Sequence, residues 1–145
     1  MLIKASLNDL QTVSEMATEL WPKYSFDQMQ KKYRKLLLNK DLAVFLYMIG
    51  DKYAGFAQCQ LRYDYIEGSV DSPIGYLEGL YIKEKYRHRG IGGQLLKASE
   101  DWAKSRGCKE FASDCDLVND KSLIFHKSAG FAETNRIICF TKIIA

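Results

Sequence analysis

The chain lacks the segments that would place it in a membrane or outside the cell. No apolar run in its 145 residues is long enough to span a bilayer, and no signal peptide is read at its start. Its four cysteines, Cys59, Cys108, Cys115 and Cys139, are scattered with no C-x-x-C pair. That spacing argues against a zinc site and against a redox dithiol, and no metal is expected. Reduced thiols of a cytoplasmic protein are expected instead, three of them lying in strands as small buried hydrophobes. Charge of one sign is also scarce. The formal net charge is only +3 and the basic residues are not gathered into one block. This argues against a nucleic-acid partner and leaves room for a local patch that holds a polyanion. There is no internal repeat, low-complexity tract or linker. With 47% hydrophobic and 27% charged residues, residues 1–145 are expected to form one globular domain.

The periodicity predicts the order β-α-α-β-β-β-α-β-α-β. Leu2 to Ala5 reads as a strand. Leu7, Leu10, Val13, Met16, Ala17 and Leu20 keep helical spacing after Ser6, and Pro22 ends the pattern. Ser25 opens a second helix that ends near Asn39. Leu42 to Ile49 and Lys52 to Tyr65 form a hairpin across Gly50-Asp51, and Ile74 to Lys83 is the next strand. Gly90 to Arg106 is a helix ended by Gly107, and Glu110 to Asp114 is a short strand. Asn119 caps a helix through Ser128 that Gly130 terminates, and Phe131 to Ile144 reads as a last strand broken near Asn135. A hairpin meander ahead of a β-α-β crossover predicts an α/β (α+β) fold. Its sheet is mixed and mostly antiparallel with a parallel pair in the middle, and helices lie on both faces.

Within that order, the run Arg87-His88-Arg89-Gly90-Ile91-Gly92-Gly93 joins a strand to a helix. Backbone N–H groups at a helix start point the same way, and the helix dipole adds partial positive charge. Gly90, Gly92 and Gly93 have no Cβ to keep a phosphate away. No Lys-Ser or Lys-Thr follows the glycines, so the turn is not a nucleotide P-loop. The spacing Arg-x-x-Gly-x-Gly after a strand resembles the pyrophosphate loop of the GNAT superfamily of acetyl-CoA-dependent N-acetyltransferases, whose element order is also the one read here. The resemblance implies acetyl-CoA as co-substrate. Its pyrophosphate would rest on residues His88, Gly90, Ile91, Gly92 and Gly93, with charge from Arg87 or Arg89. The backbone of Leu80, Tyr81 and Ile82 would hold the pantetheine arm and the thioester oxygen.

The stretch Asn119-x-x-Ser122-x-x-Phe125-His126-x-x-x-Gly130-Phe131 resembles the second cofactor segment of that superfamily. Asn119 would touch the pantetheine arm besides capping its helix. His126 stands where the superfamily usually has a Tyr that protonates the departing thiolate, a task within reach of a histidine.

A closer resemblance lies in Ser72 to Tyr81, Glu110 to Asp114, His126 to Thr134, and Trp21 after the first helix. These stretches look like the short aminoglycoside 6'-N-acetyltransferases. The resemblance implies acceptor contacts from Trp21, Tyr65, Glu78 and Asp114, and from Asn135 at a site that is often acidic. The residues support part of this by themselves. Glu78 interrupts an apolar strand, Asp114 ends its neighbour, and carboxylates so placed are costly unless they meet a cation. Either could take the ammonium proton, while Trp21 and Tyr65 offer flat faces for sugar rings and cations. No residue is placed to carry the acyl group, so direct attack in a ternary complex is expected. Two other readings stay open: acetylation of another cationic amine (a polyamine, a protein N-terminus or a lysine), and a non-catalytic acyl-CoA-binding module. The apolar last strand, with Ile137, Ile138, Cys139, Phe140, Ile143 and Ile144, suits pairing across a homodimer, which the resemblance also implies.

Overall fold

Three helical starts are set by a side chain just ahead of them, from Ser6, Ser25 and Asn119. Ser6 caps a single 3-10 turn, Leu7–Asp9, through a reciprocal capping box with Asp9. That turn runs into α1, Leu10–Leu20. Ser25 caps α2, Phe26–Leu36, through a second box with Gln28. In this computed structural model, which describes residues 1–64 and 66–145, the strands follow as β1 Leu2–Lys4, β2 Leu42–Ile49, β3 Lys52–Arg62, β4 Ile74–Ile82 and β5 Phe111–Ser113. Two further helices, α3 Ile91–Ser105 and α4 Asp120–Ser128, flank β5 in the chain. Gly107 and Gly130, both at positive φ, follow α3 and α4 as expected.

The sheet has the order β1-β2-β3-β4-β5. The first three pairings are antiparallel. Only β4 and β5 run parallel, with Leu77 opposite Ser113 as their last pair. The sheet is mixed as expected, but its parallel pair lies at the edge and not in the middle, because among the described residues no strand follows β5 to cover it. Its two faces are covered by different helices. On one, Val13, Met16 and Ala17 of α1 and Met29 and Tyr33 of α2 pack on Val44, Leu46 and Phe56. On the other, Ile91, Leu95 and Leu96 of α3 pack on Ala43, Ala57, Cys59 and Leu77.

One irregularity matters for function. Opposite β3, Gln58 pairs with Gly79 and Cys59 with Leu77, so Glu78 is an extra residue in β4. This β-bulge shifts the alternation by one. Leu77 and Leu80, three apart, therefore both pack on the α3 face, while Tyr81 packs on the α1–α2 face.

Two other expectations fail. The predicted last strand does not form: among the described residues, the tail 131–145 holds neither helix nor strand. A strand needs a ladder partner for its N–H and C=O groups, and within one copy the three-residue β5 offers little edge. Only Cys59 of the cysteines lies in a strand. Cys59 and Cys108 are buried, Cys115 and Cys139 exposed, and all four are free thiols.

Candidate active site

The glycine-rich turn is built as an anion cradle. His88 stands at φ 63° and Gly90 at φ 76°, two left-handed residues around Arg89. Such a conformation is uncommon for a residue with a side chain and collects at functional turns, and alternating handedness aims successive N–H groups inward. Gly90 is the N-cap of α3 and brings no side-chain cap. The first amides of α3, at Ile91, Gly92 and Gly93, thus have no capping side chain to satisfy them. A Cβ at Gly90 or Gly93 would meet nothing within 4 Å, whereas one at Gly92 would lie 3.4 Å from Phe125 and 3.8 Å from Leu80. The open side of the turn is therefore at Gly90 and Gly93, and Gly92 faces the wall. Arg87 Nε donates to the Ile82 carbonyl at 2.8 Å, which anchors the guanidinium at the end of β4. Arg89 lies over the Tyr86 ring at 5.6 Å.

From this turn the outer edge of β4 runs back toward β5. On one side Leu80, Tyr81 and Ile82 are paired with Ala57, Phe56 and Gly55 of β3. On the other, among the described residues, no strand pairs with β4 beyond Leu77. Backbone groups on that side, apart from the Ile82 carbonyl that Arg87 already occupies, have no strand partner and can meet an extended ligand. α4 lies beside this edge, with its Phe125 next to Gly92 and Leu80. Asn119 caps α4 by accepting from Ser122 N at 3.1 Å.

His126 of α4 reaches the point where β4 and β5 part. Its Nε2 is 2.8 Å from Ser113 Oγ and its Nδ1 is 2.7 Å from the Ser122 carbonyl. Ser113 Oγ is also 3.3 Å from the carbonyl of Leu77. Phe125 and Phe131 hold the imidazole between them, with ring centroids 5.9 and 5.1 Å away.

On the acceptor side, both predicted carboxylates have partners inside the protein. Glu78 Oε1 accepts from Arg62 Nε at 3.0 Å and from its terminal nitrogen at 2.5 Å. The guanidinium lies 3.6 Å from the centre of the Tyr76 ring. Tyr76 donates its hydroxyl to Asp114. Burial first, then that hydrogen bond, pushes the Tyr76 phenol well above its ordinary range, so it stays a donor. Glu78, Arg62, Tyr76 and Asp114 thus form one chain of contacts in which each carboxylate keeps one oxygen outside the bonds named.

Trp21, just after α1, is half-buried, edge-on to Phe56 at 6.4 Å. Its ring lies so close to β4 that a Cβ at Gly79 would be 2.7 Å from it. A trench of about 710 Å³ beside β5 brings Asp114, His126 and Asn135 together with Arg62 and Tyr76; Glu78 and Trp21 are outside its lining. Asn135 sits in the exposed tail and accepts from Arg136 N at 2.8 Å. Tyr65 lies outside the described residues. Among the described residues no group of three or more His, Cys, Asp or Glu is arranged to hold a metal ion.

Sequence reasoning missed Arg62, Tyr76, Ser113 and Gly79. Arg62 and Tyr76 carried a faint signal, since Tyr76 stands two residues before Glu78 on β4 and Arg62 ends the neighbouring β3. The pairing of Ser113 with His126 spans 13 residues across a loop and had none.

Residues 9–131 match the acetyltransferase (GNAT) family. Aminoglycoside N(6')-acetyltransferase type 1 of Serratia marcescens is 33% identical over 145 residues, 99% of either chain. The enzyme of that name from Klebsiella aerogenes is 38% identical over 88% of this chain and 86% of its own. Among solved structures, AAC(6')-Iy in complex with the bisubstrate analog CoA-S-monomethyl-acetylneamine superposes with a TM-score of 0.94 at 31% identity, over 99% of this chain and 98% of that one. AAC(6')-Ih from Acinetobacter baumannii gives 0.92 at 32% identity, over 100% and 99%.

Proposed function

Since the chain belongs to the GNAT acetyltransferase family, we propose that it is an aminoglycoside 6'-N-acetyltransferase that uses acetyl-CoA. The observation that carries this reading is the joining of two sites at one strand. An anion cradle opens α3 at the far end of β4's free edge, and two carboxylates, Glu78 and Asp114, stand near the end where β4 and β5 part. The first suits a pyrophosphate and the second a polycationic amine.

Acetyl-CoA supplies the acetyl group already activated as a thioester. The amides of residues 90–93 bind its pyrophosphate, with His88 shaping the turn and Arg87 and Arg89 adding charge. The free edge of Leu80, Tyr81 and Ile82 orients the pantetheine arm and polarises the thioester oxygen; Asn119 closes on the arm from α4. Glu78 and Asp114 hold ammonium groups of the acceptor, and one of them takes a proton from the attacking amine, directly or through a water. Trp21 and Asn135 offer contacts to the sugar rings, the role that the resemblance also gives Tyr65. His126 holds the proton that the leaving thiolate needs. Attack is direct. The buried Cys59 thiol is pushed up to about 12, chiefly by burial, and is no nucleophile.

The site belongs to a single domain, 1–145, placed in the cytoplasm, where free cysteines such as these four persist. Among the described residues no helix is long and apolar enough to cross a membrane. The tail supports a homodimer. Ile137, Ile138, Phe140, Ile143 and Ile144 are between 71% and 90% exposed, and burying each against a second copy would contribute about 1.5–3 kcal/mol.

Thiol release from acetyl-CoA, followed against aminoglycosides with and without a 6'-amino group, polyamines and peptides, tests the activity. Turnover confined to the 6'-amino compounds is expected. Preference for polyamines or peptides would move the acceptor class, and no release with any amine would leave only a binding module.

A further inference from the structure

We propose that the Ser113 hydroxyl is the group that hands the proton to the departing thiolate, with His126 acting behind it as the proton holder. This rests on the acetyltransferase assignment and names the terminal donor that the assignment leaves open.

Hydrogen-bond chemistry fixes the ring's state. His126 Nδ1 has two neighbours, the Ser122 hydroxyl at 3.3 Å and the Ser122 carbonyl at 2.7 Å; a carbonyl oxygen only accepts, so the shorter contact assigns a hydrogen to Nδ1. In the neutral ring Nε2 is then bare and accepts from Ser113 Oγ at 2.8 Å. Neither nitrogen is left to face a ligand. The rings of Phe125 and Phe131 on either side oppose a flip that would change this. When the ring is charged, Nε2–H donates to Ser113 Oγ, and the hydroxyl hydrogen must turn elsewhere.

Ser113 is the residue that commands the end of β4's free edge. It forms the last parallel pair with Leu77, and its Oγ, 3.3 Å from the Leu77 carbonyl, spans the gap where the strands part. An arm anchored at the α3 turn and laid along β4's free edge ends at this apex. With His126 charged, the Ser113 O–H is released from Nε2 and turns to the Leu77 carbonyl, 3.3 Å away at the same apex, from where it passes to the leaving sulfur.

The step balances. The acceptor ammonium loses two protons on becoming an amide. One leaves to solvent, and the thiolate gains one. Ser113 Oγ–H breaks as the sulfur–hydrogen bond forms, and Nε2–H breaks as Ser113 Oγ–H is restored. His126 ends neutral with Ser113 donating to Nε2 across the 2.8 Å contact, and takes up a proton from solvent before the next turnover.

The test combines single-turnover rates, so that slow product release hides nothing, with NMR of the imidazole. The amine is whichever the wild-type protein turns over fastest. Ser113→Ala and His126→Gln should each slow transfer by about 10²-fold, the double variant no more than the slower single one, with CoA affinity by calorimetry unchanged. The wild-type solvent isotope effect should shrink in Ser113→Ala. In free protein the neutral ring should be the Nδ1–H tautomer, and its Nε2 resonance should move in Ser113→Ala. A Ser113→Ala rate within about threefold of wild type, additive losses, or an Nε2–H tautomer would each overturn the relay. The NMR arm needs no acceptor, so failure of the aminoglycoside assignment is told apart from failure of the relay.

Discussion

Trp21 owes its place to a side chain that is absent. A Cβ at Gly79 would lie 2.7 and 2.8 Å from the six-membered edge of the indole, a distance at which the ring must move. Gly79→Ala should therefore displace Trp21, at a cost of about 1–3 kcal/mol for the overpacking, and raise the acceptor KM while acetyl-CoA binding holds. In a Trp102→Phe background a shift of indole emission reads the displacement directly; an unmoved spectrum and KM would refute it. The carboxylates allow a sharper test. A charge-assisted contact contributes about 1.5–3 kcal/mol, so Asp114→Asn and Glu78→Gln should each weaken aminoglycoside binding roughly tenfold or more by calorimetry. Glu78→Gln also strips Arg62 of its ion-pair partner, leaving a cation facing the acceptor. Adding Arg62→Met should restore part of the loss in Glu78→Gln and none in Asp114→Asn. Equal behaviour of the two would mean that Arg62 has no electrostatic role there.

The start of α3 separates two glycines that the sequence presents as equivalent. Both were expected to face the pyrophosphate. Gly92 faces Phe125 and Leu80, while Gly93 faces open space. Gly93→Val should leave folding nearly intact, since the added methyls meet no protein atom at the Cβ, and raise the KM for acetyl-CoA at least tenfold. Gly92→Val should instead press on Phe125 and lower the melting temperature as well. Thermal melts beside cofactor titrations distinguish the two, and a Gly93→Val protein with native cofactor affinity would remove the turn from the binding site. The bulge in β4 acts over a similar length. By adding Glu78 to the strand it sends Leu77 and Leu80 to one face and Tyr81 to the other, which frees a carboxylate from the core at the end of β4's free edge.

The whole molecule leaves five large apolar side chains of its tail in water, a burden that a second copy would relieve. Ending the chain after Thr134 should convert a dimer to a monomer in sedimentation velocity and reduce acceptor turnover, because Asn135 leaves the trench with the tail. A full-length chain that sediments as a monomer at all concentrations would contradict the homodimer.

Elements whose cause is local were legible in the sequence. Ser6, Ser25 and Asn119 cap the helical turns that begin beside them, Gly107 and Gly130 end the helices that lead into them, and the Arg87 to Gly93 turn carries its anion chemistry in consecutive amides. The positions of Glu78 and Asp114 near one strand end were legible too, because hydrophobic runs broken by a lone charge are a one-dimensional signal. Their partners were not. Arg62 meets Glu78 across 16 residues and Tyr76 meets Asp114 across 38, through strand pairings whose register turns on one extra residue. The tail shows the converse: its composition favours a strand, but strand formation needs a ladder partner, and the described residues of one copy provide none for it. Local propensity is a property of the chain, whereas a cross-strand contact depends on register and a strand on its neighbour, and both exist only once the sheet is assembled.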